Sequence, residues 1–95
     1  MAEKIKIHSI YRHYKGNFYI VEDIGYHSET LEKLVIYRAL YGDNKLWCRP
    51  YEMFLEELPL DKQKSSGQVH RFELQKFEGD IILTNNNVAW NNIIF

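Results

Sequence analysis

Glycine-bearing turn signals cut this chain into segments too short for most helices, and that spacing constrains the fold more than any other feature. Lys15-Gly16-Asn17 separates residues 10–14 from 18–24, and Gly42-Asp43-Asn44 separates 34–41 from 45–49. Gly and Asn reach positive φ at little cost, as a tight hairpin requires, and the flanks are rich in Tyr, Ile, Val and Phe, which suit a pleated, half-buried surface. Two β-hairpins are therefore predicted. Residues 27–32 lose alternation and read as a loop with local order, in which Ser28 or Thr30 caps a helical turn. Pro50 ends the fourth strand, and Met53, Phe54 and Leu58 then fall at helical spacing before Pro59, which predicts a short helix or 3₁₀ turn. Residues 60–68 are polar and contain Gly67, so they read as an exposed loop. Alternation returns over 69–77, where His70, Phe72, Leu74 and Lys76 oppose Val69, Arg71, Glu73 and Gln75. Four strands, a helical turn and a closing strand are the order of a small SH3-like, partly open all-β barrel, in which closure removes sheet edges.

The 95 residues suit a single domain, read as a barrel over 8–78 with a C-terminal extension over 79–95. Segment 81–95 carries no charge and holds Ile81-Ile82-Leu83, Trp90 and Ile93-Ile94-Phe95. It reads as a β tail, docked on its own barrel or exchanged in a homodimer. Lys plus Arg is 12 against 13 for Asp plus Glu, so no bulk basicity marks a DNA or membrane partner. No apolar run approaches the ~20 residues that span a bilayer. The lone Cys48 excludes an intrachain disulfide, and Met1-Ala2-Glu3-Lys4-Ile5-Lys6-Ile7 has charges where a signal peptide needs an apolar run. A cytoplasmic location is expected.

No motif here names a reaction. Among His8, His13, His27, His70 and Cys48, only His8 and His13 have the spacing of a ligand pair and no second pair accompanies them, so neither a metal nor a cofactor is expected. Glycine-rich phosphate loops are absent. The adjacent acids Glu22-Asp23 and Glu56-Glu57 read as solvated surface, because a glycosidase pair must face across a sugar. His27-Ser28-Glu29 has the side chains of a hydrolytic triad, but sequence neighbours point in different directions.

The second hairpin is more informative. A two- or four-residue loop over residues 42–45 pairs Leu40 with Trp47 and Arg38 with Arg49. Like charges face to face destabilise a sheet unless an acid, such as Glu29 or Glu52, or an anionic ligand offsets them. A three-residue loop instead sets Tyr37 opposite Arg49. Tyr11-Arg12-His13-Tyr14-Lys15 interleaves basic and aromatic groups, a pattern that grips nucleic acid by stacking and phosphate contacts and is equally that of a core strand with a charged outer face.

Tyr11-Arg12-His13-Tyr14-Lys15-Gly16, His27-Ser28-Glu29-Thr30-Leu31-Glu32, Leu34-Val35, Tyr37-Arg38, Leu40-Tyr41-Gly42, Trp47, Arg49-Pro50, Met53-Phe54 and Arg71-Phe72 occur in one order. In that order the chain resembles the small bacterial domain of unknown function 1653, over residue 10 to about 77. Cys48 departs from the expected Val. The resemblance implies no established activity; it directs attention to the motif residues, Tyr41 and Phe54 among them. The expected ligand-binding set is Arg12, Tyr14, His27, Glu29, Tyr37, Arg38, Trp47, Arg49 and Arg71. It implies a non-enzymatic module for an anionic partner, small molecule or nucleic acid: a nucleotide, a modified base or a nucleic-acid end. The alternatives are a protein-interaction domain with internally paired arginines, or a small hydrolase using His27 and Glu29.

Ile82, Val88, Trp90, Ile93 and Phe95 are each costly to leave in water, at ~1.5–3 kcal/mol. Deleting the chain after Glu78 should lower the melting temperature or change the elution volume; no change in either would show that the tail contributes to neither stability nor assembly.

Overall fold

A computed structural model describes residues 4–76. Five antiparallel strands form one sheet in the order β4-β3-β2-β1-β5. Strand β1 (Ile10–His13) turns into β2 (Phe18–Tyr26) through the expected Gly16 turn, where Gly16 has φ 115 and the His13 N–H donates to the Asn17 carbonyl. Strand β2 is bulged between Val21 and Asp23. The extra residue bends the strand while keeping Tyr19, Val21 and then Ile24 on the inner face, which curls the sheet toward closure.

Strand β3 (Lys33–Ala39) is an interior strand between β4 and β2: Val35, Tyr37 and Ala39 are buried, alternating with less buried Leu34, Ile36 and Arg38. Its hairpin to β4 (Leu46–Pro50) differs from the expected register. The pairs are Val35 with Arg49, Tyr37 with Trp47 and Arg38 with Leu46, so Arg38 and Arg49 lie on opposite faces. The connection is longer than expected. Residues 40–44 lie between Ala39 and Lys45, closed by the Asn44 side-chain amide on the Ala39 carbonyl with Asn44 itself at φ 53.

The short helix α1 (Tyr51–Phe54) follows Pro50 as expected and delivers Phe54 to the core. Residues 60–68 are not a loop, because α2 (Leu60–Ser66) forms there. It buries no residue, so hydrophobic periodicity carries no signal of it. Its signals are at the ends: Pro59 before it, Asp61 in the first turn, Lys64 in the last, and Gly67 at φ 80 as the left-handed cap. Nor is the last strand as long as expected. Strand β5 (Phe72–Leu74) is short because the Glu73 carboxylate takes the Val69 and His70 N–H groups, at 2.8 and 3.1 Å, out of the ladder. In the 27–32 loop, His27 Nδ1 accepts from the Glu29 and Thr30 N–H groups, and Thr30 Oγ1, one of the two expected caps, accepts from the Glu32 N–H.

β5 pairs with β1, setting Phe72 opposite His13 and Leu74 opposite Tyr11, so the last strand returns to the first in an all-β, partly open barrel. Ile5, Tyr11, Val21, Val35, Tyr37, Phe54 and Phe72 fill it. Buried Gln68 locks the α2 connection to β1, accepting from Arg12 at 2.6 Å and donating to the Arg12 and His70 carbonyls. No helix among the described residues is long and apolar enough to cross a membrane. The expected docking or exchange of segment 81–95 lies outside the described residues.

Phe54 is fully buried and stacks on Phe72 at 4.1 Å between ring centroids. Phe54→Ala should therefore destabilise the domain by about 3–5 kcal/mol in urea unfolding, the range for emptying a packed aromatic site; a loss below about 1 kcal/mol would show that the core collapses around the gap.

Candidate anion-binding site

The inner face carries more aromatic surface than the interior can cover. Phe72 is its hub: the rings of His13 at 4.8 Å, Tyr37 at 5.4 Å and Tyr19 at 5.5 Å meet it edge-on. Tyr19 also meets Tyr41 edge-on at 5.5 Å, their hydroxyls 2.7 Å apart. Burial, and then the hydrogen bond to Tyr41, raises the Tyr19 phenol well above its ordinary value. Edge-to-face pairs add ~0.5–1.5 kcal/mol each beyond their buried area. Trp47 shares this face by pairing with Tyr37 and is 45% exposed, at the rim.

Arg49 enters this aromatic field from β4. Its guanidinium lies 6.0 Å from the Phe72 centroid, and its Nε is buried without a hydrogen-bond partner. Among the described residues no carboxylate forms a salt bridge with it. A buried polar group left unsatisfied costs about 1–3 kcal/mol, and more when charged, so the site carries a standing cost that an acceptor would relieve. Arg71 is paired, its Nε 3.2 Å from Glu56 Oε1 and its Cζ 5.8 Å from the Tyr14 centroid. His13 feels both. Burial, then the Arg71, Arg49 and Lys15 charges, push its pKa down from 6.5 to about 4.

The structure thus brings together Tyr14, Tyr37, Trp47, Arg49 and Arg71 of the predicted set, and adds His13, Tyr19, Tyr41 and Phe72. It separates the others. Arg38 points to the outer face, where Glu22 pairs with it at 3.0 Å; neither Glu29 nor Glu52 is the acid that offsets it. That half-exposed pair is worth ~0–1 kcal/mol. Arg12 is on the outer face with Gln68. His27 and Glu29 are exposed past the far end of β2 at Tyr26, the first of them eight residues, or roughly 26 Å of strand, beyond Tyr19. His27 uses its Nδ1 to hold the turn. A separate groove of about 450 Å³ between Glu32, Lys33, Pro50, Tyr51, Glu52 and Met53 holds none of the predicted residues. Among the described residues no three His, Cys, Asp or Glu side chains gather as metal ligands.

Alternation could have found His13 and Tyr19: both lie two residues or one pairing step from buried Tyr11 and so share its face. Phe72 could be placed on that face only once β5 was seen to pair with β1.

Fold and site together define a small, partly open β-barrel whose inner face joins to an aromatic cluster an arginine that meets no acid among the described residues. The chain belongs to the family described as Protein of unknown function (DUF1653), whose model matches residues 9–74. No curated protein and no solved structure matches the chain.

Because the folded state lowers the His13 pKa from 6.5 to about 4, the unfolded chain binds the extra proton between those values. The stability contribution is therefore complete above about pH 6.5 and is lost as pH falls toward about 4. Wild type should lose more melting temperature over that interval than His13→Gln; equal losses would mean that His13 titrates normally.

Proposed function

We propose that this chain is a non-enzymatic binding module of the bacterial cytoplasm that takes an anionic partner bearing a ring, such as a nucleotide, a modified base or a nucleic-acid end. The observation that carries the reading is Arg49: a guanidinium on an aromatic face, its Nε buried and unsatisfied, with no acid assigned to it. An oxyanion there would accept from Nε–H and a terminal N–H together, the two-pronged geometry that arginine favours. Trp47 at the rim and Tyr41 beside Tyr19 offer flat surfaces for a ring, where stacking adds ~1–3 kcal/mol per base. The other two arginines of the second hairpin and β5 region hold acids, Arg38 with Glu22 and Arg71 with Glu56, so the anion reading rests on Arg49 rather than on an Arg38–Arg49 facing pair.

Titration with adenosine 5′-monophosphate should move the Arg49 Nε–H resonance in a saturable way. Arg49→Gln should weaken that binding by at least about tenfold, the equivalent of one lost charge-assisted hydrogen bond, with little change in melting temperature because no carboxylate is stranded. Arg38→Gln should bind as wild type does. Absence of saturable binding, or equal binding by Arg49→Gln, would falsify the reading.

A further inference from the structure

The imidazole of His13 lies between two rings, 4.6 Å from Tyr14 and 4.8 Å from Phe72. Each of those rings carries cations. Arg71 and Lys15 sit over Tyr14 at 5.8 and 6.0 Å, and Arg49 sits over Phe72 at 6.0 Å. Among the described residues Glu56, on Arg71, is the one carboxylate paired with any of these three, which leaves two positive charges in excess around one neutral ring. The ring's orientation is set by the β1–β2 turn: His13 Nδ1 accepts from the Lys15 N–H at 3.1 Å, so the ring proton resides on Nε2. Nε2–H has no acceptor among the described residues, and neither do the terminal nitrogens of Arg71, whose Nε holds Glu56.

Resting on the Arg49 reading, we propose that the anion is a terminal phosphate monoester, held by the Arg49 guanidinium and by the Nε2–H of His13, with Arg71 facing its remaining oxygen. The charge and donor count select this class. A monoester carries two charges near neutral pH and three terminal oxygens, matching the excess charges of Arg49 and Lys15 and the donors of Arg49 from β4, His13 from β1 and Arg71 from the residue before β5. A phosphodiester has one charge, one terminal oxygen fewer and a second substituent to accommodate. A carboxylate has one charge and two oxygens in a plane. His13 suits the role because burial, and then the neighbouring cations, keep it neutral and leave it a donor at Nε2 across the physiological range, so recognition does not depend on its titration.

Adenosine 5′-monophosphate, its 3′,5′-cyclic diester and adenosine are titrated against the full chain at about pH 7.5, where the monoester is a dianion. Binding is read from the His13 Nε2–H and Arg49 Nε–H resonances and by calorimetry. The monoester should bind at least about tenfold more tightly than the cyclic diester, and adenosine more weakly still. Two variants separate recognition from turn architecture. In His13→Asn the side-chain oxygen replaces Nδ1 and satisfies Lys15, but nothing replaces Nε2–H; it should stay folded, with a melting temperature lowered by the lost ring contacts, and bind the monoester about tenfold more weakly. In His13→Gln the amide nitrogen replaces Nε2–H, and affinity should stay within about threefold of wild type. Equal binding of monoester and cyclic diester with Arg49 still required would overturn the monoester proposal and leave the anion reading standing. Wild-type affinity in His13→Asn would reduce His13 to a turn residue and overturn its part. If none of the probes binds, both readings fail. Should His13→Gln fail to fold, the diester comparison and His13→Asn still decide.

Discussion

The stack of Phe72 on Phe54 ties the end of the fold to its beginning. Phe72 comes from a three-residue strand opposite His13 of β1, and its ring lies 4° from parallel to one that α1 supplies. So short a strand makes few ladder hydrogen bonds, and burying this ring is what offsets the entropy of returning the chain across α2 to the first strand. With Phe54 stacked on one face of Phe72, Tyr19, Tyr37 and His13 meet the ring edge-on. The aromatic lining of the candidate site is thus the outer shell of the core. A site built this way is rigid, since moving any of its rings would disturb close-packed neighbours.

Strand parity then sorts the arginines. Arg38 alternates with buried Tyr37 and Ala39 and must face outward, where Glu22 meets it. Arg49 pairs with buried Val35 and must face inward, where aromatic rings rather than acids receive it. Arg71 precedes β5 and finds Glu56 across the bridge that closes the α2 connection, where the Arg71 N–H also donates to the Glu56 carbonyl. Three chemically identical side chains therefore end in three electrostatic settings, and the setting rather than the residue type marks the candidate site.

Much of the fold is legible because it is local. The Gly16 and Gly42 turns, the alternation of Val35 and Tyr37, and the helical spacing after Pro50 each depend on a few adjacent residues. What was missed shows where local information ends. Helix α2 has no buried side chain, so its evidence is confined to Pro59, Asp61, Lys64 and Gly67, and a reading that weighs apolar periodicity passes over it. The β3–β4 register turned on the difference between a two- or four-residue loop and the five residues of 40–44, and Asn44 settles it with a backbone-like side-chain bond to Ala39. In a structure with period two, that odd change in loop length decides which face Arg49 occupies.

By itself the sequence determined a β-rich fold, the positions of its first four strands and a set of basic residues interleaved with aromatic ones. These follow from turn chemistry and side-chain alternation, which act over a few residues. Only the tertiary structure decided which arginines meet an acid among the described residues and which one meets the aromatic cluster instead. Glu22 reaches Arg38 across β2 and β3, Glu56 reaches Arg71 across the α2 connection, and Arg49 meets Phe72 through the return of β5 to β1. Such pairings bring together residues distant in sequence, and their geometry depends on register, bulge and closure at once, which no local pattern encodes.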